Sequence, residues 1–150
     1  MNSTTLPSAG LLVLRVVVGV TFMLHGLDKL ADLSGAEQYF ASLDIPVPGL
    51  TAPFVAVTET VGGVLLIAGL ATPLAGTALA IDMIVALLTA HLSHGFFASD
   101  GGIELALLLG GASLGLALTG AGRFSLDAWL DLPRAMSRAH VPYPSKAPNA

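Results

Sequence analysis

The chain has 150 residues, 54% of them hydrophobic and only 11% charged, with a mean hydropathy of +0.81 and a formal net charge of −4. A soluble domain carries about 25% charged residues, so an ordinary soluble fold is excluded, and six Lys and Arg against ten acids exclude a basic nucleic-acid surface. With no cysteine the chain has no disulfide, no thiolate metal site and no thiol redox chemistry of its own.

Crossing about 30 Å of hydrocarbon takes roughly 20 mostly apolar residues, and four segments meet or approach that length. A leader over residues 1–10 precedes a first span over about residues 11–29. The leader has no Lys or Arg and no small-x-small site follows Leu27, which argues against a cleaved signal peptide. A connection of about twenty residues follows, rich in Asp and Pro, and the spacing of Tyr39, Phe40 and Leu43 predicts a short interfacial helix in its middle. The second span covers about residues 52–70, with Pro53 near its first helical position. Only Ala71-Thr72-Pro73 separates it from a third span ending near residue 91, a hairpin that makes the two antiparallel neighbours. The fourth span, about residues 103–119, is short. After residue 122 come an amphipathic stretch, Ser125 to His140, and a Pro-rich end expected to be disordered. The expected fold is an all-α integral membrane protein, an antiparallel four-helix bundle over residues 11–122 with a basic tail over residues 123–150.

Orientation follows the distribution of positive charge. The tail carries Arg123, Arg134, Arg138 and Lys146, whereas the first connection has only Lys29 and the loop over 92–102 has no Lys or Arg. The tail is therefore expected in the cytoplasm and, with an even number of spans, the N-terminus with it.

Arg15, His25, Glu59, Asp82, His91 and Glu104 lie within or at the ends of the spans. Each strong charge facing lipid at mid-depth would cost about 2.5–3.5 kcal/mol, so these residues line an interior, pair, or sit near headgroups. Two readings of Arg15 and Asp82 are open: a buried ion pair, or Arg15 snorkelling to the inner headgroups with Asp82 protonated or hydrogen-bonded. His25, Glu59, His91 and Glu104 come one from each span to a similar depth in the outer half, with His94 just beyond. Such a set could bind a divalent metal, relay protons or hydrogen-bond a quinone headgroup, or could simply hold helices together. At 100° per residue, Glu59 shares a face with Gly62 and Gly63, and Glu104 with Gly111 and Gly115, so both carboxyls are expected to look inward over close-packed glycines. His91, nine residues after Asp82, points away from it on a regular helix unless the helix loosens before Ser93.

The motifs resemble the DoxX family. Phe22-x-x-His25-Gly26-x-x-Lys29 follows an early Arg, then come Glu59-x-x-Gly62-Gly63, the turn Gly69-Leu70-Ala71-Thr72-Pro73, and His91-x-x-x-Gly95-Phe96-Phe97. Gly101-Gly102-x-Glu104 and Gly120-Ala121-Gly122-Arg123-Phe124-Ser125-Leu126-Asp127 close the series, which covers about residues 10–128. Asp82 and the tail after Trp129 stand outside it. The resemblance implies a four-helix bundle in the bacterial inner membrane, and a name shared with a subunit associated with a terminal quinol oxidase that also takes part in thiosulfate oxidation. The expected function is a subunit or accessory of a quinone-linked membrane redox system, with His25, Glu59, His91 and Glu104 as a polar pocket in the outer leaflet. Small-molecule or proton transport, and a non-catalytic assembly role in a membrane complex, are the alternatives. No haem, flavin or nucleotide motif is present, and quinone is the cofactor the reading allows. Expected partners are the lipid membrane and other membrane proteins, in a redox complex or a homo-oligomer, and no nucleic acid.

Overall fold

The computed structural model describes residues 5–130, and over them the chain is built from helices without strands. In chain order these are α1 (Thr5–Ala31), α2 (Leu33–Ser42), α3 (Pro48–Ala68), α4 (Thr72–Ala86), α5 (Glu104–Thr119) and α6 (Leu126–Trp129). A π-helical turn, Leu87–His91, and a 3₁₀ turn, Leu92–His94, prolong α4, and a second 3₁₀ turn, Ala98–Asp100, precedes α5. Three helical stretches, Leu6–Ala31, Pro48–Ala68 and Thr72–His94, are long and apolar enough to cross a membrane. The fourth, α5, has 16 residues, about 24 Å at 1.5 Å per residue, and falls short of the hydrocarbon thickness. Most of the amphipathic stretch expected over 125–140, and the Pro-rich end, lie outside the described residues.

Two helix ends differ from expectation. α1 starts by Thr5, because Pro7 falls in its first turn, where proline is tolerated. α3 starts at Pro48, so Pro53 lies inside the helix rather than at its start. Val47 takes a left-handed conformation with φ 51° and ends the approaching loop there; Pro48 then supplies a helical φ at the first position.

The close contacts are made by small residues. A Cβ on Gly19 would sit 2.6 Å from the Gly63 carbonyl oxygen, and one on Gly26 would collide with Thr60. Arg15 reaches Gly69, so residue numbers on α1 rise as those on α3 fall. Gly62 packs on the side chain of Leu79 across the α3–α4 hairpin, and Gly76 lies against the Ser113 carbonyl of α5. Val18, Phe22, Leu66, Leu79, Met83, Leu109 and Leu116 form the core between these contacts. Outward, Val57, Val61, Leu74, Ile84, Leu88, Leu107 and Leu118 are exposed, an apolar surface that a bilayer covers.

The α5 expectation is corrected. Its inward residues are Ala106, Leu109, Ser113 and Leu116, spaced by three and four as one helical face. Gly111 and Gly115 lie on another side with no atom near their missing Cβ positions, and Leu108 on the same stripe is 67% exposed. Hydrophobicity is nearly uniform around α5, so composition could not choose its buried face. The close approach to α4 uses Gly76 instead.

Candidate functional site: a polar-floored cavity and two motif-built ends

The end of the molecule away from the tail holds a cavity of about 660 Å³ between α1, α3, α4 and α5, within the range of small-molecule sites. His25, Lys29, Glu59, Asp82 and His91 line it among apolar walls. Glu59 is 3% exposed, because it stands on the same stripe of α3 as Ala52, Ala56, Gly63 and Leu66. Lys29 Nζ donates to Glu59 Oε2 at 2.6 Å. The Asp82 carboxyl interacts with both members of this pair and lies within hydrogen-bonding reach of Glu59. Its Oδ2 is buried and unpartnered among the described residues. One ammonium thus balances one of two carboxyls, and an acceptor oxygen remains for a ligand's donor.

Asp82 and His91 reach the same cavity because the helix between them changes type. Nine α-helical residues would set them about 180° apart. The π turn over Leu87–His91 bonds i to i+5 and inserts about one residue, returning roughly 100° of that rotation. His91 Nδ1 donates to the Gly101 carbonyl at 2.6 Å, which leaves Nε2 of the neutral ring as an acceptor. His25 lines the cavity from an exposed position on α1.

Glu104 does not join them. It is exposed, and its Oε2 accepts from Ala98 N–H at 2.9 Å. The surrounding backbone closes on itself: Ile103 N–H donates to Gly95 O and Glu104 N–H to Phe96 O. A Cβ on Gly102 would come within 2.5 Å of Gly95 O. The His91–Phe97 and Gly101–Glu104 motifs therefore fold against each other as a tight loop between α4 and α5. His94 lies beyond it, its Nδ1 3.2 Å from Ser93 Oγ.

Arg15 and Asp82 do not pair. Asp82 stands ten residues into α4, about 15 Å from its start, whereas Arg15 lies at the level of that start. Arg15 is fully buried, and its guanidinium donates to the Phe124 carbonyl and attracts Asp127. It fills the space over Gly69, which has φ 68° and ends α3 by exposing the Leu65 carbonyl to Leu70 N–H. Ala71, also left-handed, gives α4 no capping side chain. Asp127 supplies the cap from α6, accepting from Ala71 N–H at 2.8 Å and Thr72 N–H at 3.1 Å. Its own N–H donates to Gly69 O.

Lys29 is the site residue that sequence reasoning missed. It repeats the Phe22 face seven residues on, and it is the one cation besides Arg15 before Arg123; both signals point inward. No group of three or more His, Asp or Glu among the described residues is placed to hold a metal ion.

The DoxX family model matches residues 10–92, more than half of the chain. The chain is 38% identical over 121 residues to "Putative oxidoreductase CatD" of Bacillus subtilis strain 168, covering 81% of this chain and 87% of that protein. It is 33% identical to "Inner membrane protein YqjF" of Escherichia coli strain K12, covering 84% and 95% of the two. "Inner membrane protein YphA" of the same strain is also 33% identical, with coverage of 78% and 87%. No solved structure matches. A motif series that folds into the α1–α3 contact, the α4 cap and the loop between α4 and α5, together with these matches, assigns the chain to the DoxX family of membrane proteins.

Proposed function

We propose that the protein is a subunit or accessory of a quinone-linked membrane redox system, and that its cavity holds the quinone or quinol headgroup. The observation that carries this is the Lys29–Glu59 pair beside the unpartnered Asp82 oxygen, at the floor of an otherwise apolar cavity. A quinone carbonyl accepts from Lys29, a quinol hydroxyl donates to Asp82 Oδ2, and His91 Nε2 is a further acceptor. Quinone reduction takes two electrons and two protons. In this reading a redox partner supplies the electrons, and the two carboxyls and His91 handle the protons. The word "oxidoreductase" in the name of CatD, a relative, agrees with the class.

We further place residues 11–122 in the bacterial inner membrane, with both termini and the basic tail over 123–150 on the cytoplasmic side and the cavity in the outer leaflet. The names of YqjF and YphA support the inner membrane, and the clustering of Lys and Arg in the tail supports the orientation.

The test is extraction of quinones from the purified full-length protein in native lipid discs. Wild type should retain quinone near one per chain, and Lys29→Met should reduce that at least tenfold while the protein remains monodisperse. Wild type without enriched quinone would refute the proposal.

A further inference from the structure

We infer that the cavity is entered sideways from the bilayer, between α3 and α4, and that its occupant is an amphiphile with one polar head and an apolar chain. This rests on the cavity being a binding site, as proposed above, though not on the head being a quinone. α3 and α4 are joined by the turn around Gly69 and meet where Gly62 packs on Leu79. Beyond that contact, toward the outer end, the facing residues of both helices line the cavity: Phe54 and Thr58 on α3, Ile81 and Val85 on α4. Phe54 is 71%, Ile81 57% and Val85 48% exposed. These side chains belong both to the cavity and to the surface that hydrocarbon covers, so the gap between them opens into lipid.

The way from water is covered differently. Phe40 of α2, itself buried, and Leu43 and Ile45 after it line the cavity at its outer end. A charged solute would have to leave water, pass this mostly apolar layer, in which Tyr39 and His25 are the exposed polar groups, and give up its hydration. A molecule dissolved in the bilayer meets mostly apolar side chains, with the hydroxyls of Thr51, Thr58 and Thr89 among them, before reaching the floor. The floor is suited to a head without net charge. Lys29 balances one carboxyl, the contact of Asp82 with Glu59 is a hydrogen bond only with a proton on one of the two carboxyls, and the groups left over are then hydrogen-bonding ones, the Asp82 oxygen and His91. Glu59 is eleven residues into α3, roughly 16 Å from its start, so the head sits near mid-bilayer and the chain leaves through the gap into the surrounding acyl chains.

The test places a fluorescent reporter on the cavity wall. The chain has one tryptophan, Trp129, which is exposed near the tail, and Trp129→Phe removes it. Thr58→Trp in that background is reconstituted into phosphatidylcholine discs with or without brominated acyl chains. Val55→Trp, also on the cavity wall, is the second reporter should the first disturb assembly. Brominated chains should quench the reporter at least twofold, and aqueous acrylamide should have little effect. Acrylamide quenching with no bromolipid effect would overturn the lateral route, whatever quinone the wild type retains. A benzoquinone bearing a decyl chain should then quench saturably near one equivalent, and the same ring without the chain should not. Equal saturable binding of both rings, or of neither, would overturn the amphiphile.

Discussion

At the residue scale, the ionisable groups divide into those that hold the fold and those that face the cavity. Arg15, Asp127 and Glu104 each close a turn or a helix end. Lys29, Glu59 and Asp82 share one polar floor. Because Arg15 and Asp82 serve different ends of the molecule, Arg15→Ala and Asp82→Ala should lower thermal stability additively in a double-mutant cycle. Lys29→Met and Glu59→Gln should instead couple, by about 1–3 kcal/mol, less than a wholly buried pair because Lys29 is 25% exposed. Gly69→Ala should be among the most damaging small changes. The added methyl needs a left-handed backbone, costing about 1–2 kcal/mol, and meets the Arg15 guanidinium as well. Accumulation in membranes and melting in detergent would show it, with Gly111→Ala, in open space, as the neutral control. The sequence carries Glu59 legibly, through its Gly62-Gly63 face. It does not carry the partner of Arg15, because that pairing depends on residues more than a hundred positions apart.

At the scale of elements, length and apolar content predict apolar helices, three of which are long enough to cross a membrane, and the short loop around Ala71 was enough to make α3 and α4 neighbours. The spacing of Tyr39, Phe40 and Leu43 likewise marks α2. Two features were not legible. Uniform apolarity leaves the rotation of α5 to packing, so the Glu104–Gly111–Gly115 stripe faces outward. The π turn arises from a ladder shift that no residue type specifies, although the conflict between Asp82 and His91 on a regular helix marks the place. Deleting Leu88 should restore an α-helical ladder and leave His91 pointing as it does now, because eight α-helical residues turn the chain as far as nine that include the π turn. Quinone retention and helical content by circular dichroism should both be kept; a loss of retention would contradict the one-residue account of the π turn.

At the scale of the whole molecule, one end is closed by a staple and the other carries the cavity. A chain ending after Gly120 loses Arg123 to Asp127, and with them the Phe124 acceptor and the α4 cap. Its membrane accumulation should drop severalfold relative to full length, measured by in-gel fluorescence of an N-terminal fusion. A reporter fused to the C-terminus should be active only if it works in the cytoplasm; activity of a periplasmic reporter there would reverse the proposed orientation. The central claim is that a ligand's head is held on the floor made by Lys29, Glu59 and Asp82, and not by the loop between α4 and α5. The most direct measurement compares quinone occupancy in purified Glu59→Gln and Glu104→Gln. The amide at 59 keeps the shape but loses the charge that Lys29 answers, so occupancy should fall at least tenfold in Glu59→Gln and stay at the wild-type level in Glu104→Gln. Full occupancy in Glu59→Gln, or equal losses in both, would contradict the account.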